Sequence, residues 1–374
     1  MKLFVNLSSV FKGGAEQVAL SFINECRDFR ENHFYIFLCD NLVLQLDIKS
    51  FPNNFSFFII DERPGKSVKS YLKFVVFLNL KEKELRPDCV LSTSSHGYWK
   101  PKATPIVVGF NIPHYVYPES PYFKKIGLTK NIFWFLKKRF HLYFYNRVDA
   151  IFVQTEDVRE RLRNMINKSI GIHTISNTVN ANYLNPAVFP NKIALNKENQ
   201  YKLLTLSAYY PHKNLEIIAS VIKVLIKRKI NQFRFIVTLP SEKFKLLFGD
   251  LPDGFITNIG PLPVKECPSL YKECDALFLP TLLECFSASY AEAMLMKKLI
   301  ITSDLGFAQN VCKDAAVYFD PCNPVDIIDK MISLCEDKDL QRKIINNGIE
   351  IVKKINSANQ RASSILGICK NLIK

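Results

Sequence analysis

Long apolar runs are missing from this chain of 374 residues. No stretch reaches the roughly 18 consecutive apolar residues that a helix needs to cross a bilayer, so no membrane-spanning helix is expected. The opening "MKLFVNLSSVFKGG" lacks an Ala-x-Ala-type cleavage site and reads as a first strand, not as a signal peptide. Paired cysteines are missing too. The ten cysteines fall at irregular spacings without a Cys-x-x-Cys, as expected of reduced, buried thiols in a cytoplasmic protein. No internal repeat and no low-complexity tract appears, which excludes solenoids and long disordered tails. Acidic residues are scarce overall and absent from Ser120 to Val148.

What remains describes a globular chain: 48% hydrophobic and 23% charged. The length favours two domains over one core. A formal net charge of +15 favours an anionic partner such as phosphate, nucleic acid or an acidic membrane surface. In the acid-free segment 120–148, Lys124, Lys125, Lys130, Lys137, Lys138, Arg139 and Arg147 alternate with aromatic and aliphatic side chains. That mixture suits an anionic membrane interface, where cations meet lipid phosphates and rings sit at headgroup depth. A core helix whose Lys and Arg stems lie along apolar surface is the other reading.

Continuously apolar strands alternate with helical periodicity from "KLFVNLS" to "GIHTISNTVN", as in a parallel sheet covered on both faces. A weakly patterned stretch with two prolines follows, and the alternation restarts at "YKLLTLSA". The expected fold class is α/β, two doubly wound Rossmann-like domains facing each other across a cleft, where a ligand would bind. The expected division is 1–182, a linker 183–200, a second domain 201–355, and a C-terminal helix 356–374 packing back on the first domain.

Several residues stand where chemistry is done. Gly13 and Gly14 separate the first strand from a helix; they let a backbone approach a ligand, and equally they form a plain turn, since they lack a Gly-x-Gly-x-x-Gly fingerprint. Lys213 in "LSAYYPHKNLEII" enters a helix, where a cation opposes the dipole unless an anion lies between or solvent bathes it. In "PTLLECFSASYAEAMLMKKLIITSD", Ser289 and Glu292 have capping-box spacing, which accounts for Glu292 alone. Glu284 follows the strand "ALFLP" at its carboxyl end, the region where open α/β sheets bind ligands. Phe286, Ser287 and Ala288 then bring backbone N–H groups to a helix start. The single Asp-x-Asp, Asp337 to Asp339, lies in the helical tail and reads as a helix cap.

That Glu-x7-Glu block resembles the signature of retaining nucleotide-sugar glycosyltransferases of GT-B type, glycosyltransferase family 4. "FKGGAEQVAL", "DAIFVQTEDVRERL", "ISNTVN", "LSAYYPHKNLEII" and "NIGPLP" resemble successive landmarks of the same family, so the likeness runs nearly the whole chain. It implies that Lys213 holds the donor diphosphate, that Ser287 and Ala288 donate N–H groups to it, and that Phe286 lies in the same donor loop. It further implies that Glu292 accepts the ribose hydroxyls, Glu284 grips the transferred sugar, and Gly13 and Gly14 pass near the donor phosphate. Family members often carry a histidine facing the sugar; His114 is the candidate and His96 its rival. Three departures stand out: Ser207 and Ala208 where an arginine is usual, Glu-Cys-Phe-Ser at 284–287 in place of Glu-Gly-Phe-Gly, and "NTVN" in place of Asn-Gly-Val-Asp.

The implied reaction is retaining transfer of a sugar from a UDP- or GDP-type donor to a hydroxyl of a glycan or lipid-linked acceptor, as in bacterial surface polysaccharide or lipopolysaccharide assembly. No metal or cofactor is expected. The implied setting is cytoplasmic, with peripheral attachment to the inner face of the membrane. An epimerase-like enzyme of the same fold is the competing enzymatic reading. A basic nucleic-acid-binding protein is the non-enzymatic one, and it would leave Glu284 and Glu292 without a role.

Overall fold

The computed structural model describes residues 1–10, 14–60, 67–93, 98–193 and 200–373. The chain divides into two units, one of Met1–Val116, Leu128–Asn177 and Asn356–Lys374, the other of Tyr117–Gly127 and Thr178–Ile355. Each is a parallel sheet with helical crossovers, the doubly wound architecture that the apolar strand pattern implies.

The first unit holds β1 (Lys2–Leu7), β2 (His33–Leu38), β3 (Phe55–Ile59), β4 (Cys89–Ser92), β5 (Ile106–Gly109), β6 (Ala150–Val153) and β7 (Gly171–Thr174). They lie in the order β3-β2-β1-β4-β5-β6-β7, every pair parallel. The order reverses between β1 and β4. One face buries Leu3, Val5, Phe22 and Ile36 against the C-terminal helix Ala358–Asn371. That helix begins with a reciprocal capping box, Ser357 with Gln360, and sets Ala362, Ile365 and Leu366 into this core. Arg361 enters with them and donates to Val18 O at 3.3 Å; burial draws its pKa down to about 10, and Glu25 opposes the fall. On the other face Phe4 stacks on Phe37 and Phe37 on Phe58.

The basic aromatic segment contributes the helix Gly127–Tyr145, which is not a core helix. It buries only His141 and Tyr145, while Phe133, Phe135, Leu136 and Phe140 are each more than half exposed. A second helix of this unit, Val68–Leu85, leaves Val68, Leu72, Val76 and Leu80 exposed at successive four-residue steps. Four-residue spacing puts them in one stripe along that helix. No described helix is long and apolar enough to cross a membrane.

The second unit holds β8 (Tyr201–Thr205), β9 (Phe233–Val237), β10 (Ile256–Asn258), β11 (Ala276–Leu279), β12 (Leu299–Ser303) and β13 (Val317–Phe319). Their order is β10-β9-β8-β11-β12-β13, again all parallel, with the reversal between β8 and β11. Leu203, Phe235, Phe278 and Ile301 fill the space beneath the helices Glu216–Lys227 and Pro324–Glu336. Two expected boundaries shift. Residues 117–127 pack with this unit instead of the first, through side chains that composition does not reveal. The expected linker begins inside structure: Tyr183 lies in a short helix, Ala181–Leu184, capped by Asn180, and is buried. Among the described residues none of the ten cysteines forms a disulfide, and only Cys322 is exposed.

Candidate functional site

In the second sheet the loops after β8 and β11 leave neighbouring strands in opposite directions, which opens a crevice at their carboxyl ends. Both loops carry the residues singled out from sequence. After β8, Tyr210 is extended, Pro211 sets the first position of a turn, and Asn214 closes it in the left-handed region at φ 56°. Asparagine tolerates that conformation better than most residues. Its amide explains the rest of its placement. Nδ2 donates to Pro280 O at 3.1 Å and to Pro321 O at 2.9 Å, so one side chain ties together the ends of β8, β11 and β13. Leu282 N donates to His212 O at 2.8 Å and adds a second tie between the two loops.

Lys213 and Glu284 meet across this crevice, the ammonium donating to Oε1 of the carboxylate. Their side chains are only 16% and 10% exposed. A buried pair is a costly arrangement: removing one partner strands the other charge, at about 3–5 kcal/mol. His212, beside them, is pulled down to about pKa 4 by burial and by Lys213, so its ring is neutral at pH 7. Beyond Glu284, buried Cys285 and partly exposed Phe286 lead to the helix Ala288–Leu295. Ser287 is its N-cap, is buried, and makes no side-chain capping bond. The first turn of such a helix presents N–H groups without intrahelical partners. Here the helix begins at exposed Ala288, four residues after Glu284, so its first turn lies close in sequence to the carboxylate that Lys213 pairs with.

The Ser289–Glu292 capping box expected from spacing does not form. The helix starts two residues too early: with Ser287 at the N-cap, Glu292 falls a full turn inside. It is turned into a recess formed with Tyr183, Tyr271 and Cys267. Desolvation there pushes its carboxyl up to about 7, against the hydroxyls of Tyr183 and Tyr271 that donate to it. No cation figures among the causes of the shift. The recess also raises the Cys267 thiol to about 12 and the Tyr183 hydroxyl further still.

The candidates of the first unit are placed separately. His114 lies in the short helix Pro113–Val116 after β5, its ring stacked on Trp134 at 3.7 Å. Gly14 opens the helix Gly14–Glu25, and a Cβ there would meet no protein atom within 4 Å. Gly13 and His96 lie outside the described residues. Asp337 is an N-cap, accepting from Leu340 N at 2.8 Å, as the helical-tail reading expects.

Sequence reasoning missed the segment 117–127. Ser120 Oγ donates to Leu282 O at 2.6 Å, the ring of Tyr122 meets that of His212 edge-on at 6.4 Å, and Lys125 Nζ donates to Asn214 Oδ1 at 2.5 Å. Its basic character was legible; its destination was not. Tyr183 and Tyr271 were missed as partners of Glu292 for the same reason, since nothing in their spacing joins them.

Residues 12–183 match the family model described as Glycosyltransferase Family 4, and residues 190–351 match that for glycosyl transferases group 1. An uncharacterized glycosyltransferase of Methanocaldococcus jannaschii, MJ1178, is 25% identical over 190 residues, covering 48% of this chain and 52% of its own. The match thus takes in about half the length of that curated relative. The structure of Anabaena Alr3699/HepE in complex with UDP and glucose superposes with a TM-score of 0.72 at 15% identity, covering 99% of this chain and 100% of that one. The structure of WaaG, a glycosyltransferase involved in lipopolysaccharide biosynthesis, does so with a TM-score of 0.69 at 13% identity, covering 98% of each.

Proposed function

We propose that this chain, which has the GT-B fold, is a glycosyltransferase of the group 1 type that transfers a sugar, with retained anomeric configuration, from a nucleotide diphosphate donor to a hydroxyl. The observation that carries this reading is the meeting of Lys213 and Glu284 at the sheet reversal, next to the first turn of the helix Ala288–Leu295. Breaking a bond to a diphosphate places growing negative charge on the leaving group. Lys213, with the backbone N–H groups of Ser287 and Ala288, is suited to meet that charge in a water-poor place, where oriented dipoles act most strongly. Lys213 would then exchange Glu284 for phosphate, freeing the carboxylate to accept hydroxyls of the sugar. Glu292, deeper and without a cation, would accept the ribose hydroxyls. The UDP in the structure of the Anabaena relative supports a UDP-type donor. Because Lys213 and the helix amides supply the positive charge, transfer is proposed to need no metal ion, and EDTA should leave the rate unchanged. Incubation with a panel of UDP- and GDP-sugars, with the anomeric proton of the product read by NMR, tests the proposal. Inverted product overturns retention, and failure to bind any nucleotide diphosphate overturns the donor reading.

The acceptor is proposed to be a glycan or lipid-linked hydroxyl presented at an anionic membrane surface, in surface polysaccharide or lipopolysaccharide assembly. Support comes from the exposed Phe133, Phe135, Leu136 and Phe140 in a segment with seven basic residues and no acidic one, and from the stripe of exposed aliphatic residues on the helix Val68–Leu85 of the same unit. The involvement of the structurally similar WaaG in lipopolysaccharide biosynthesis supports the polysaccharide setting. Flotation with phosphatidylglycerol-containing vesicles at low salt is the measurement. Recovery of the protein only in the dense fraction would count against the surface.

A further inference from the structure

We propose that Lys125, from a segment remote in sequence from the donor loops, is the second cation of the diphosphate site; this rests on the donor reading above. The reasoning begins with charge. Lys213 and Glu284 cancel each other as they stand, and His212 is neutral. Ser207 and Ala208, following β8, bring no charge. A diphosphate carrying about two negative charges, approaching only this pair and one helix end, would meet little net positive potential. Lys125 changes that balance. Its ammonium sits 2.5 Å from Oδ1 of Asn214, the residue that follows Lys213. Among the described residues it makes no ion pair, and the surrounding segment from Ser120 to Val148 contains no acid.

The position is built. Both amide hydrogens of Asn214 are committed to Pro280 O and Pro321 O, which leaves Oδ1 facing Lys125. Ser120 and Tyr122 hold the short helix Tyr122–Lys125 against the same two loops, at Leu282 and His212. An exposed lysine held by one neutral acceptor next to a phosphate-binding lysine can swing its flexible stem onto an arriving anion. It gives up one hydrogen bond to form a charge-assisted one.

The test compares Lys125→Ala, Lys125→Gln and Lys125→Arg with wild type for binding of UDP, UMP and uridine, and of the guanosine series, by titration calorimetry at fixed salt. The expected result is a roughly tenfold loss of nucleoside diphosphate affinity in Lys125→Ala and Lys125→Gln. Loss for the monophosphate should be smaller, nucleoside binding unchanged, and Lys125→Arg should hold within about threefold of wild type. Diphosphate affinity equal to wild type in the alanine and glutamine variants overturns the proposal. So does an equal loss for diphosphate and nucleoside, which would mark Lys125 as a strut for the loops. Wild-type protein that binds neither diphosphate overturns the donor reading itself, an outcome separable from the other two.

Discussion

Glu284 and Glu292 belong to one loop-and-helix segment, yet their surroundings are opposites. Glu284 is buried against a cation, and the pair neutralises itself. Glu292 is enclosed by two tyrosine hydroxyls and a thiol, and carries a carboxyl lifted to about 7. The contrast shows how a fold gives one residue type two environments, an ion pair and a desolvated recess. A carboxylate held by a lysine is poised to exchange partners when an anion takes that lysine. A desolvated carboxylate with hydroxyl neighbours is poised to accept further hydroxyls, and its own protonation decides how well.

Breaking the first half of the comparison should have the largest effect. Lys213→Ala and Glu284→Ala are each expected to lower kcat by about 10²–10³-fold, read by donor turnover. Each should also lower Tm, because a lone buried charge remains, and the double variant should recover part of that loss. Equal, additive Tm losses would show that the pair is not coupled. Next in size, Glu292→Gln should weaken nucleoside binding by roughly ten- to a hundredfold, since a charge-assisted acceptor is worth about 1.5–3 kcal/mol. Glu284→Gln should leave nucleoside binding nearly unchanged, which separates the two carboxylates by ligand fragment.

A smaller effect sharpens the same contrast through pH. The folded-state pKa of Glu292 lies above the ordinary carboxylate range, so between about 4.5 and about 7 the folded protein keeps a proton that the unfolded chain has lost. Its contribution to stability is therefore greatest below that window and falls as pH rises through it. Glu292→Gln should remove this slope and be the more stable protein at pH 8, by thermal melts from pH 5 to 8. Nucleoside affinity of the wild type should move the other way and rise towards pH 8, because the ionised carboxylate is the better acceptor. The smallest expected effect lies away from the site. Phe135→Ser with Phe140→Ser should cut vesicle recovery severalfold while nucleotide affinity stays the same.

The two carboxylates also measure how much of the site could be read in advance. Lys213, Glu284 and Ser287 stood out because a polar residue after a continuously apolar strand has few local reasons to be there. Glu292 stood out from its place in the segment, but the capping box offered as its local explanation does not form. Spacing cannot say whether a helix starts at Ser287 or Ser289, and one capping position decides whether the carboxylate lies at the helix end or a turn inside. Lys125 was legible only as one of seven basic residues in a segment. Its partner Asn214 is 89 positions away. The division at residues 117–127 was missed for the same reason: a short run of mixed character carries no mark of which sheet it will pack against.

Local rules of strand and helix formation, written in runs such as "KLFVNL" and "ALFL", determined two parallel α/β units and put Lys213 and Glu284 in loops that follow strands. Only tertiary structure decided that Lys213 would face Glu284, that tyrosines 88 positions apart would enclose Glu292, and that Lys125 would reach the donor loops. Backbone periodicity is a short-range property, set by neighbours within a turn or two. Charge pairing and desolvation depend on distances through space, and those exist only after the chain has folded.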